Sequence, residues 1–203
     1  MKLSACGYIL LLCVLGISST QIAAAQGTAA SDEVTKTNWQ QHPKIKEVRD
    51  IVQAVKNNLG RAAYRTKTRK FDYCEPYEDA ARTIAIEKNG RVRYYEKQAG
   101  SEDSALKWEQ YYDEAGRLRF VFITGGAANG SELEHRIYFD EHGKRIFEDH
   151  KYTKGEGYTF PEIWPDDQLT NKPSDAFAAK SPCREIKTGP KSKAQSPRSK
   201  TRS

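Results

Sequence analysis

Three of the chain's four histidines stand beside acids between positions 134 and 150, in Glu134-His135, Asp140-Glu141-His142 and Asp149-His150. Imidazole next to carboxylate suits proton transfer and metal ligation, because the ring titrates near neutrality and offers a nitrogen lone pair. The spacing argues against a convergent trio. His142 falls at a turn tip, while His135 and His150 lie across a ladder, and no serine or cysteine nucleophile motif accompanies them. A small hydrolase or metal-dependent enzyme centred on this hairpin is therefore the alternative reading, and no catalytic or metal-ligating residue is assigned. The fourth histidine, His42, lies apart. The glycine-rich run Thr124–Ser131 lacks the Gly-Lys-Ser/Thr ending of a phosphate loop and reads as a flexible connection, so no cofactor is expected. Asn129-Gly130-Ser131 within it is an N-glycosylation sequon.

Of four cysteines, Cys6 and Cys13 lie in an N-terminal segment built for removal, with Lys2 as its positive end, an apolar run Ile9–Ile17 and Ala23-Ala24-Ala25 before Gln26. The apolar run is too short to span a bilayer as a helix. Residues 1–25 are thus expected to be a signal peptide, and the mature chain to be secreted or periplasmic. The two remaining cysteines, Cys74 and Cys183, are expected to form a disulfide in that oxidising compartment. They lack the CxxC spacing of redox or zinc chemistry.

What must position these residues is a repeated hairpin. The signature Φ-[Asp/Glu]-x-x-Gly-[Lys/Arg] occurs at Ile86–Arg91, Tyr112–Arg117 and Phe139–Lys144, with its acids 26 and 27 residues apart. A two-residue loop would mix apolar and polar faces. A three-residue loop, a type I turn with glycine in the left-handed bulge position, pairs Glu87 with Arg91, Ile86 with Val92 and Ile84 with Tyr94. In the second unit it pairs Tyr112 with Leu118, Gln110 with Phe120 and Trp108 with Phe122. Ile84, Ile86, Trp108, Tyr112 and Phe120 then share a covered face. Tyr95, Tyr111, Arg119 and Tyr138, with Arg93 beside them, share an open one, and these five are the candidate ligand-binding residues, suited to a glycan, peptide or protein through stacking and cation–π contact. In the third unit Phe139 faces Arg145, which implies a sheet edge or a register slip of one residue. The same register sets Arg136 against Glu148 and His135 against Asp149.

These Tyr-Asp…Gly-Arg hairpins resemble those of bacterial YD-type and MORN-like repeat proteins over about 70 residues, at the level of turns. The resemblance implies extracytoplasmic binding or structural roles and transfers no catalytic residue.

Ahead of the repeats, Ile45, Val48, Ile51, Val52, Val55 and Leu59 recur at helical spacing between Pro43 and Gly60, predicting an amphipathic helix packed on the covered face. Arg61–Tyr73 alternates as a basic edge strand would. Tyr158–Pro165 is apolar and broken by proline, suited to wrapping over the core. From Lys187 to Ser203 there are six basic residues and no acids; without them and Lys2 the net charge of +6 falls to about −1. The basicity therefore belongs to a disordered tail able to contact an anionic polymer or envelope surface. The expected organisation is a signal peptide over 1–25, a linker over 26–42, one α+β domain over 43–186 with an antiparallel meander of about six strands, and the tail over 187–203. The leading functional expectation is a non-enzymatic binding or envelope-associated protein.

Overall fold

Backbone geometry in a computed structural model, which describes residues 32–75, 78–155 and 157–187, departs from the sequence expectation at one recurrent point. The expected signal peptide and almost all of the basic tail lie outside the described residues. Helix α1 spans Pro43–Asn58 and is followed by strands β1 (Tyr64–Lys70), β2 (Glu78–Glu87), β3 (Val92–Ser101), β4 (Ser104–Tyr112), β5 (Leu118–Ala127), β6 (Glu132–Phe139) and β7 (Arg145–Lys154). A 3-10 turn at Asp166–Gln168 and helix α2 (Pro173–Ala178) close the described chain. Among the described residues the strands form one antiparallel sheet in sequence order, β1 to β7, so each hairpin pairs with the next.

The turns are of the expected kind. Gly90, Gly116 and Gly143 have φ of +89°, +80° and +82°, and each donates its N–H to the carbonyl of the acid three residues before. Asp113 and Asp140 cap their own turns, each Oδ1 accepting two backbone N–H groups at 2.9 Å. In the first unit Asn89 takes this role toward Arg91, freeing Glu87 to reach Arg93. Ala127–Ser131 makes a fourth turn of the same type around Gly130, so the first half of the glycine-rich run expected to be a loop, Thr124–Ala127, is strand.

Beyond each repeat turn the ladder gains one residue. Ile86 pairs with Val92 but Ala85 with Tyr94; Tyr112 pairs with Leu118 but Tyr111 with Phe120; Phe139 pairs with Arg145 but Tyr138 with Phe147. Arg93, Arg119 and Ile146 are the extra residues of three equivalent β-bulges, and each turns the rest of its strand over. The expected pairs Ile86–Val92 and Tyr112–Leu118 stand. Ile84 instead faces Tyr95, Gln110 faces Val121, and Trp108 faces Ile123. The slip suspected in the third unit occurs in all three, setting Arg136 opposite Asp149 and His135 opposite His150.

This corrects the assignment of faces. Ala85, Tyr94, Tyr111, Phe120, Tyr138 and Phe147 form one lateral row, and its five rings touch in series with centroids 4.8–6.2 Å apart. Helix α1 lies on this row through Ile45, Val48 and Val55, over the middle strands. Trp39, expected to fall in a linker, stacks on Phe147 at 5.0 Å. The opposite face carries Ile84, Tyr95, Trp108, Tyr112, Val121, Ile123 and Ile137 and is covered by the chain after β7, with Phe160 and Trp164 buried against it. Both faces are therefore closed over most of their length. The helix covers the face expected to be open, and Phe120 belongs to the helix side.

Candidate functional site

The five residues expected to line an open binding face are all buried, with at most 7% of their surface exposed. Tyr111 and Tyr138 lie under α1, and Tyr95 lies in the opposite core. Burial raises the phenol pKa of all three. Arg93 and Arg119 are bulge residues whose side chains run along the sheet instead of out of it. Arg93 Nε donates to the Tyr112 carbonyl at 3.0 Å, and Arg119 Nε donates to the Phe139 carbonyl at 3.2 Å. Each arginine thus clasps its own unit to the carbonyl that precedes the next unit's acid. Arg93 also pairs with Glu87, and Arg119 with Asp113 and Glu47. At the third bulge Ile146 replaces the arginine, and no further unit follows among the described residues. The signal was present in the sequence as an arginine six residues after the acid in units one and two.

The histidines divide. His142 sits exposed at its turn beside Glu141. His135, fully buried, brings Nε2 to 2.6 Å from Glu148 Oε1 and Nδ1 to 3.0 Å from His150 Nδ1. A carboxylate can only accept, so His135 donates through Nε2 and accepts at Nδ1 from His150. Burial holds the His135 pKa below its ordinary value, against the opposing pull of Glu148. Glu148 Oε1 also accepts from Trp164 N at 2.7 Å, and Arg145 bonds the Trp164 carbonyl at 2.9 Å as well as Glu148 and Asp166. This network fastens the covering segment by both polar groups of one peptide residue. Among the described residues no group of three His, Cys, Asp or Glu side chains is placed to hold a metal ion. Of the three histidines, His135 and His150 meet beside Glu148, whereas His142 stands exposed at its turn.

A cleft does open where the covering segment stops. About 560 Å³ in volume, it lies at the β3–β4 turn end of the sheet, lined by Phe71, Tyr73, Asp79, Ala99, Leu106, Gly125 and their neighbours. Asp79, Ala99, Leu106 and Gly125 are successive partners across β2 to β5, so they form one row on one face. The row is hollow where Ala99 and Gly125 leave it without large side chains. A Cβ at Gly125 would stand 2.1 Å from the Ala105 carbonyl oxygen, so the close approach of β4 and β5 requires glycine there.

The cleft's aromatic wall is held in four ways. Phe71 N donates to the Ala80 carbonyl, and Phe71 bridges to Glu185. The Arg69 and Arg82 guanidinium carbons lie 5.1 and 5.3 Å from the Phe71 ring centre. The same two arginines donate to the last carbonyls of α2, satisfying groups that a helix end leaves unpaired. Cys74 and Cys183 are bonded, with Cα atoms 5.5 Å apart, as expected from their number. Sequence reasoning missed the cleft because its floor is a run of small residues with no motif.

No family model matches the chain, and no curated protein or solved structure does either.

Proposed function

We propose that this chain is a secreted or periplasmic, non-enzymatic binding protein whose ligand enters the cleft between Phe71 and Gly125. The observation that carries the reading is a hollow of small-molecule size whose wall is fixed by a disulfide, two guanidinium groups and a β-bridge. A preformed hollow binds with little ordering cost. The leader-like N-terminus and the cysteine pair support export, and among the described residues no helix is long and apolar enough to cross a membrane.

The test is an NMR titration of the disulfide-bonded chain from Gln26 onward with single-ring aromatic fragments. Amide shifts gathered at Ala99, Gly100, Leu106 and Gly125 support the reading; uniform or absent shifts remove it. Export is checked by expressing the full chain and measuring the mass of the released product, which should begin at Gln26.

The basic tail is a separate surface in this proposal, contacting anionic polymer or the envelope through charge alone. Removing residues 187–203 should weaken retention on a polyanion column and leave the melting temperature unchanged. Retention that persists and ignores salt assigns the contact elsewhere.

A further inference from the structure

Resting on the polyanion contact proposed for the tail, the geometry points to a docking strip on the folded body: the outer edge of β1, fitted to a linear sulfated polysaccharide. β1 is the first strand of the sheet, and residues 61–70 hold five basic side chains and no acid. Arg69 is taken by Glu185, but Arg61, Arg65, Lys67 and Lys70 are exposed and make no ion pair among the described residues. The acids that border the strand, Asp72 and Glu87, are engaged by Arg184 and Arg93. Positive charge is therefore left uncompensated along one edge of a body that is otherwise close to neutral.

Lysine and arginine on an edge strand also discourage a foreign strand from pairing, but part of this edge is already filled by the chain itself. Ile186 N donates to the Lys70 carbonyl and Asp72 N to the Arg184 carbonyl, while Phe71 bridges to Glu185, so residues 184–186 run antiparallel along the end of β1. Lys187 then lines one hollow with Thr68 and Lys70. The first cation of the tail thus stands at the end of the strip, and one ligand chain can reach both. Arg65 and Lys67, opposite Ile86 and Ile84, share a face about 7 Å apart along the strand. Charges set in a line suit a chain better than a plane. Double-stranded nucleic acid presents phosphate rows on both sides of a groove, whereas β2 beside the strip adds one cation, Arg82, buried with Asp79. Single strands bind by stacking their bases on rings, and residues 61–70 offer only Tyr64, half-buried in the helix-side core. A sulfated sugar chain needs neither a second row nor a stacking ring, since its charges project along a flexible backbone and release counterions on contact.

The experiment titrates the disulfide-bonded chain from Gln26 onward with a heparin oligosaccharide, a short DNA duplex, and vesicles of phosphatidylserine and phosphatidylcholine, across a range of salt. Heparin should bind tightest, and its amide shifts should gather at Arg65, Lys67, Lys70 and Lys187. Arg65→Gln/Lys67→Gln should weaken heparin binding about tenfold and lower the slope of log affinity against log salt by about two, with the melting temperature unchanged. Lys144→Gln/Lys151→Gln, an equal loss of charge at the opposite edge, should change neither. If the β1 pair has no effect while removal of residues 187–203 abolishes binding, the strip is overturned and the tail reading stands. If the β1 pair abolishes binding while removal of the tail changes nothing, the tail reading falls and the strip stands. An equal loss in both glutamine pairs overturns the strip in favour of net charge alone, and tighter binding to the duplex or the vesicles overturns the choice of polymer. Absence of heparin binding by the whole chain overturns strip and tail together. The wild-type shifts locate the site even if a variant fails to fold.

Discussion

Arg117 and Arg119 stand two residues apart, and both approach Asp113, yet they differ in environment. The Arg117 side chain is about half exposed and its ion pair faces water; that of Arg119 is 3% exposed and also holds the Phe139 carbonyl and Glu47. Arg119→Ala removes a buried guanidinium from the Phe139 carbonyl, Glu47 and Asp113 and should cost about 3 kcal/mol, against less than about 1 kcal/mol for Arg117→Ala, measured by urea unfolding. His135 makes a pH-dependent contribution. Its folded pKa lies below 6.5, chiefly through burial, so the unfolded chain takes up its proton first as pH falls. Stability should be fully present above about pH 6.5 and decline below it. The charged and polar groups that face the ring are Glu148, His150 and Arg145. A second, lower step belongs to Asp113 and Asp140. Burial pushes both carboxyls up, but turn N–H groups, joined at Asp113 by the Arg117 side chain, outweigh it and hold both below 3.8. Their contribution is present above that value and disappears as pH falls through the lowered one. Urea midpoints between pH 8 and 5 should fall in the wild type and flatten in His135→Gln.

At the level of elements, the turns were legible because acid, glycine and spacing each have a local physical cause. The bulges were not, since an extra residue in a ladder is decided by what its side chain can reach across the sheet. Arg93 reaches a carbonyl 19 residues ahead and Arg119 one 20 ahead, contacts that no local pattern displays. That single omitted residue per hairpin inverted the faces, moved Phe120 to the helix side and made buried packing of the supposed binding surface. Helix α1 was readable from its apolar stripe; it ends with Leu59 as its cap, one residue ahead of Gly60 at φ +74°. Which face it covers was not, because both faces are apolar. Two glycines separate backbone freedom from close approach. Gly116→Ala, with open space around the added methyl, should cost only about 1 kcal/mol for its positive φ. Gly125→Ala, driven into the Ala105 carbonyl, should cost at least about 2 kcal/mol and also weaken probe binding in the cleft; paired urea and NMR titrations check both.

Across the whole molecule, the link between β1 and β2 is joined to the segment after α2 where function is proposed. The disulfide links residues 109 apart, and the chain-entropy account gives such a closure about 5 kcal/mol. The Cys74→Ser/Cys183→Ser variant should lose stability of that order in urea, and probe affinity with it, because the Phe71 wall then hangs on the β-bridge and two arginines alone. A meander whose neighbours in sequence are neighbours in space would ordinarily be indifferent to its own length. The forward clasps give this one a direction and a stopping rule: each arginine presupposes a following carbonyl, and Ile146 presupposes none. A duplicated unit of 26 or 27 residues, inserted between the second and third with its arginine retained, should therefore be accepted as an eighth and ninth strand, whereas one appended after Ile146 would arrive with nothing holding it. The molecule carries, in one residue per hairpin, an instruction for where it may be lengthened.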